Sequence, residues 1–175
     1  IQNVDTVAGT LDIYMFNYPG CSYCEDLIYN NNSQNWTEKK EDCEHDATWV
    51  AYDPITEEEC SAIPSLTGNG GWWFDGEVGG FQFKLPGVIV TGASGGSAED
   101  NNFTVSTSQE GIVLGFSFTG ETLPIGESVI TQISYEGEGN PELCLSNAVI
   151  SDNDGIAYPV NYGDCMIISG TAILS

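Results

Sequence analysis

The chain has 175 residues, 41% of them apolar, with four Trp, eight Tyr and seven Phe, which excludes intrinsic disorder. Its 26 acidic residues face three lysines (Lys39, Lys40, Lys84) and no arginine, a formal net charge of -23. A surface with so few cations cannot displace the counterions of a phosphate backbone or settle on an anionic bilayer, so nucleic-acid binding and anionic membranes are excluded. No apolar run is long enough to cross a bilayer, so membrane insertion by a helix is not expected either.

The first segment, Ile1 to Val7, is short and β-prone, and begins without an initiator Met or leader. The expectation is a processed, secreted N-terminus. Thr10 to Phe16 follows as a strand, with Leu11, Ile13 and Met15 on one side. We expect it to pair in one sheet with Gly79 to Lys84. The segment between them has a different character. Residues 17–78 hold every Trp (Trp36, Trp49, Trp72, Trp73), the only His (His45) and four of the six cysteines. Cys21, Cys24, Cys43, Cys60, Cys144 and Cys165 form an even set. An even set predicts an oxidising, extracellular location with up to three bridges, while spacing alone leaves the pairing open.

Within that segment, Cys21-Ser22-Tyr23-Cys24 follows a strand and a Tyr-Pro-Gly turn and enters a candidate helix, the pattern of a thioredoxin- or glutaredoxin-like redox site. Ile63-Pro64 stands where such a fold carries its cis-proline. Glu25 and Asp26 oppose this reading, because nearby carboxylates raise a thiol pKa. Glu38 to His45 reads as a polar turn. His45 with Cys43, Glu44 and Asp46 is a candidate metal cluster, although bridged cysteines cannot ligate zinc. Trp49 to Tyr52 reads as a strand. Thr56-Glu57-Glu58-Glu59 matches a capping box and predicts one short helix ending at Pro64. Trp72-Trp73-Phe74, between glycines, is a candidate sugar-stacking platform or a core cap.

From Gly79 onward the chain alternates apolar and polar residues over short runs separated by Gly, Asn, Asp, Ser and Pro, the spacing of a β-sandwich. The runs are Phe81 to Lys84, Val88 to Thr91, Phe103 to Ser106, Ile112 to Phe118, Val129 to Tyr135, Leu143 to Val149 and Cys165 to Leu174. Gly92 to Gly96 reads as a loop, and nothing here has helical periodicity. Asp152-Asn153-Asp154-Gly155 reads as a hairpin turn, with calcium at Asp152 and Asp154 as the alternative. Asn31, Asn35 and Asn102 open glycosylation sequons.

The order Gly79-Gly80-Phe81-Gln82-Phe83, Gly87-Val88-Ile89-Val90-Thr91-Gly92-Ala93-Ser94-Gly95-Gly96 and Gly111-Ile112-Val113-Leu114-Gly115-Phe116-Ser117-Phe118 resembles secreted cohesin-like β-sandwich modules. Pro124 to Ile130, and Leu143 to Asn147 closing at Gly163-Asp164-Cys165, extend the likeness. The resemblance covers Thr10 to Phe16 and Gly79 to Cys165. It implies an all-β fold, a nine-stranded antiparallel jelly-roll sandwich, with Cys144 bridged to Cys165 and residues 17–78 inserted between its first two strands. The whole of 1–175 is then a single domain.

One His and no ordered nucleophile set point away from an enzyme. The resulting expectation is a non-enzymatic extracellular structural subunit without cofactor. It assembles as a homo-oligomer or helical polymer into a filament or surface layer. Terminal strand donation, through Ile1, Val4 and Val7 or Ile168 and Ile173, is the proposed route. The alternatives are a glycan-binding or adhesion module using Trp72 and Trp73, and a redox protein using Cys21 and Cys24.

Overall fold

The computed structural model describes residues 1–25, 48–64, 70–137 and 142–167. The chain opens with β1 (Gln2–Asp5) and β2 (Thr10–Asn17), followed by β3 (Gly20–Cys24), β4 (Trp49–Asp53), α1 (Glu57–Ser61) and β5 (Trp72–Phe74). Then come β6 (Gly80–Lys84), β7 (Ile89–Ser94), α2 (Gly96–Asp100), β8 (Thr104–Thr107) and β9 (Ile112–Phe116). Last are β10 (Gly126–Glu136), β11 (Glu142–Leu143), β12 (Ser146–Ser151), β13 (Ala157–Pro159) and β14 (Met166–Ile167). Strands dominate and each described helix has five residues, so the chain is all-β, as its alternation predicts. Two compact units emerge: Ile1–Phe16 with Val78–Ser175, and Asn17–Glu77.

Among its described residues the first unit holds a four-stranded sheet, β1-β2-β10-β7, and a five-stranded sheet, β13-β12-β6-β9-β8. A short β11-β14 pair stands apart. The β1–β2 and β10–β7 pairs are antiparallel, as is every pair of the five-stranded sheet. Between β2 and β10 the bonds run Gly9 to Tyr135, Asp12 to Gln132 and Tyr14 to Glu127. Numbers rise on one strand as they fall on the other, so this pair is antiparallel too. Leu11, Ile13, Val90, Ile133 and Tyr135 are buried from one sheet, and Phe81, Phe83 and Val113 from the other. One-sided burial in two sheets of one compact unit makes a two-layer core.

The register of the five-stranded sheet has a steric cause. Phe81 pairs with Gly115, and a Cβ built on Gly115 would enter the Phe81 ring. That ring is held in place, stacked 6.1 Å from Phe83 and 6.2 Å from Phe103. The strand Ile112–Phe116 therefore turns Val113 and Gly115 inward. Both of its faces are apolar, so alternation alone does not choose between them. A slip of one residue would put Leu114 or Phe116 where only glycine fits.

Three expectations are corrected here. First, β2 does not share a sheet with β6. The eleven-residue β10 gives β2 a full-length neighbour, while β12 and β9 already flank β6 on both edges. Second, Gly92 to Gly96 is not a loop: β7 runs on through Ser94 and Gly96 opens helix α2; Gly95 and Gly96 take positive φ, Glu99 accepts a bond from Gly95 N at 2.6 Å, and Ala98 is buried. Five residues are too few for helical periodicity to show. Third, Leu143 to Val149 is not one alternating run. Asn147 has φ 50° and breaks the phase, so Leu143 is buried on β11 while Val149 faces out of β12.

In the Asn17–Glu77 unit, β3 is the centre of a three-stranded antiparallel sheet, β4-β3-β5. Helix α1 forms where the capping box predicts. Thr56 Oγ1 accepts from Glu59 N at 3.2 Å, and Glu59 Oε2 accepts from Thr56 N at 2.8 Å. It ends at Ser61, three residues short of Pro64. Cys21 on β3 is bonded to Cys60 on α1. Gly71 makes room for that bridge, since a Cβ there would lie 2.6 Å from Cys21 Sγ. Trp72 is buried with its ring 5.6 Å from Trp49, and Tyr52 lies edge-on to Phe74 at 5.9 Å.

Candidate functional site

The sulfur chemistry is structural. Cys21 and Cys24 lie on a strand and not at a helix N-terminus, and Cys21 is bonded to Cys60 rather than to Cys24. Cys24 is also disulfide-bonded, and no described cysteine is a free thiol. Both Cys21 and Cys60 are closed to solvent. A redox turn needs an accessible attacking sulfur bonded to a partner three residues away, and this geometry supplies neither. The peptide bond before Pro64 is trans. Cys144 is bonded to Cys165, so the cluster Glu142, Cys144 and Cys165 offers no thiolate to a metal. Cys43 and His45 lie outside the described residues, as do Asn31, Asn35, Ile168 and Ile173.

The aromatic platform is not formed as a pair. Trp72 belongs to its unit's core beside Trp49, and Trp73 is half-buried. Alternation along β5 sends the two rings to opposite faces, which prevents a shared stacking surface. Burial raises the Tyr52 hydroxyl pKa far above its usual range, and burial followed by the Asp53 carboxylate raises Tyr23, which donates to Asp53 at 3.0 Å. Both stay neutral donors across the physiological range.

Asp152 and Asp154 sit in the turn between β12 and β13. Asp152 Oδ1 accepts from Asp154 N at 3.0 Å and Ile156 N at 2.8 Å, and its Oδ2 accepts from Tyr158 OH at 3.1 Å. This carboxylate serves the hairpin. Asn102 is exposed just before β8, placed for glycan attachment.

Among the described residues, β1 is an edge strand of the four-stranded sheet. Its ladder to β2 has two pairs, Gln2 to Asp12 and Asp5 to Thr10, with an irregularity between them. No β1 side chain is fully buried, and Val7 beyond it is 97% exposed. The strand is held mainly by polar bonds. Asn3 Nδ2 donates to Asp12 at 2.8 Å, and Asp5 Oδ1 accepts from Ala8 N at 2.8 Å and Val7 N at 2.9 Å. Those two amides, Ala8 first, hold the Asp5 carboxyl below its ordinary range. Burial, followed by the Asp5 charge, pushes Tyr135 up.

The solvent faces of the two sheets differ in kind. On the four-stranded sheet, Asp12 bridges Asn3 and Gln132, and Tyr14 bonds Glu127, so that face carries carboxylates beside its exposed Phe16 and Ile89. On the five-stranded sheet, the row Val149, Gln82, Leu114, Ser106 crosses four strands, with Lys84 and Ile112 on one side and Phe116 and Thr104 on the other. Leu114 and Val149 are each 39% exposed and Ile112 37%. Phe118 continues the stripe beyond β9 at 80% exposure, edge-on to Phe116 at 4.7 Å. Alternation marks Ile112 to Phe118 as a strand without choosing its inward face; the signal for that choice is the pair of small residues Val113 and Gly115, opposite Phe83 and Phe81.

No protein-family model matches the sequence, and no curated protein is similar to it.

Proposed function

We propose that this chain is a non-enzymatic, extracellular structural subunit that assembles with copies of itself into a filament or surface layer by exchange of strand β1. The observation that carries the reading is the way β1 is held. It has four residues, an interrupted ladder and little buried apolar surface, so lifting it off forfeits little hydrophobic stabilisation. Its departure opens the edge of β2, whose Leu11 and Ile13 are already fixed in the core. The β1 of a second copy has the sequence that matches this slot, so exchange restores every bond it breaks. Passed from copy to copy in one direction, it gives an open, head-to-tail polymer.

Other features agree with this setting. Bridged cysteines belong to oxidising compartments, and exposed Asn102 suits a glycoprotein. No described helix is long and apolar enough to cross a membrane. The cohesin-like nine-stranded jelly roll is part of the same proposal, supported by the partition into four and five antiparallel strands.

The test is deletion of Ile1 to Val7. Electron microscopy and size-exclusion chromatography of the full chain should show polymers. The truncated chain should elute as one copy with an unchanged far-ultraviolet dichroism spectrum. Polymerisation that survives the deletion, or a full chain that never polymerises, retires the reading.

A further inference from the structure

We propose that the outer face of the five-stranded sheet is a second self-contact, occupied by the same face of another copy. It deepens the reading of a self-assembling subunit and uses a surface that β1 does not touch in the fold.

Three properties of the face argue for it. The first is its composition. Across the paired positions Ser146, Val149, Ser151, Gly80, Gln82, Lys84, Ile112, Leu114, Phe116, Thr104 and Ser106 there is no Asp or Glu. The formal charge of that face is positive, from Lys84, on a chain of -23. The second is the phase of β9, which leaves Ile112, Leu114, Phe116 and Phe118 on the solvent side while Val113 and Gly115 fill the core. The third is preorganisation. Ser117 Oγ accepts from Thr119 N at 3.2 Å and Glu121 N at 3.1 Å, fixing the turn that presents Phe118 against Phe116. A fixed aromatic loses little freedom when it is covered.

Charge selects the occupant. A cationic partner gains most on the carboxylates, which lie elsewhere, and an anionic surface is repelled by the chain as a whole. Two copies repel each other over most of their surfaces, and least where carboxylates are missing. A carboxylate-free face with an apolar stripe is also complementary to itself, and two sheet faces pack with strands crossing at about 30°. Area sets the strength. Five strands about 4.8 Å apart and about five residues long at about 3.3 Å each cover roughly 350 Å² per copy. A free-standing complex needs about 800 Å² per partner. The contact is therefore weak alone and effective where another link raises the local concentration, so it belongs to lateral packing in an assembly.

The experiment uses the full chain and the variants Leu114→Glu and Phe118→Glu, both at exposed positions, with Thr91→Glu, exposed on β7 of the opposite sheet, as control. Sedimentation velocity across protein and NaCl concentration is read together with filament width by negative-stain microscopy. Self-association of the wild type should tighten about tenfold or more between ~0.05 and ~0.5 M NaCl, as screening removes the repulsion between copies. Either face variant should weaken it about 30-fold or more, by placing like charges in a symmetric contact. Polymers should then persist as thin, unbundled strands. Thr91→Glu should behave as the wild type.

Association unchanged in both face variants overturns the proposal while leaving strand exchange intact. A face-dependent dimer without polymers keeps the face and removes strand exchange. A wild type that sediments as one copy at every salt concentration assigns the face to a different occupant, and the proposal fails.

Discussion

Replacing Gly115 by alanine introduces a single methyl at the point where β9 meets β6. The built Cβ enters the Phe81 ring, and the ring cannot retreat, because Phe83 and Phe103 stack on it at 6.1 and 6.2 Å. Overpacking of this kind costs about 1–3 kcal/mol, and the double stacking places this site in the upper half of that range. Alanine returns about 0.4–1 kcal/mol by restricting the unfolded chain. The expected net loss is about 2 kcal/mol, a fall in Tm of roughly 4–8 °C for a chain of this size. Thermal and urea unfolding followed by dichroism measure it. Repeating the substitution in a Phe81→Leu background isolates the cause. With the ring gone the methyl has room, and a coupling of about 2 kcal/mol should appear in the double-mutant cycle. Additive effects, or a Gly115→Ala protein as stable as the parent, would show that Phe81 does not set the register.

Two further outcomes follow from burial and from hydrogen bonding. Cys165 is exposed and Cys144 half-buried, whereas Cys21 and Cys60 are closed off, so mild reductant and alkylation of the native protein should label the Cys144–Cys165 pair first. Its loss should lower stability by about 3 kcal/mol on the chain-entropy estimate for a 21-residue separation; mass spectrometry showing Cys21 or Cys60 labelled first contradicts the order. Asp5 has a folded pKa below its ordinary 3.8, because its charged form accepts the Ala8 and Val7 amides. Its support of the β1–β2 turn is therefore complete above that value and lost as pH falls through the lowered one. The Val7 and Ala8 amide signals should titrate with a midpoint below 3.8, and a midpoint at or above it removes this anchor.

Much was legible in the sequence because it depends on near neighbours. Period-two alternation with Gly, Asn and Asp between the runs marks strands and turns whatever they later pair with, and the Thr56 to Glu59 capping box is complete within four residues. Oxidised cysteines followed from number and context. The Asp152 turn followed from an Asx residue ahead of glycine, and its carboxylate bonds the backbone two and four residues on.

What required the tertiary structure was each choice between options that are locally equal. Cys21 has a cysteine three residues away and bonds one 39 residues away, because α1 and Gly71 bring Cys60 to the buried side of β3. The strand Thr10–Asn17 pairs with β10 and not with β6, since among the described strands only β10 offers it an open edge of matching length. Both faces of Ile112 to Phe118 are apolar, so composition is indifferent to which one is buried. The bulk of Phe81 against the absent side chain of Gly115 makes that choice, and it leaves Leu114 and Phe118 in solvent. Steric fit between strands 34 positions apart is a property of their register, and neither strand contains it alone.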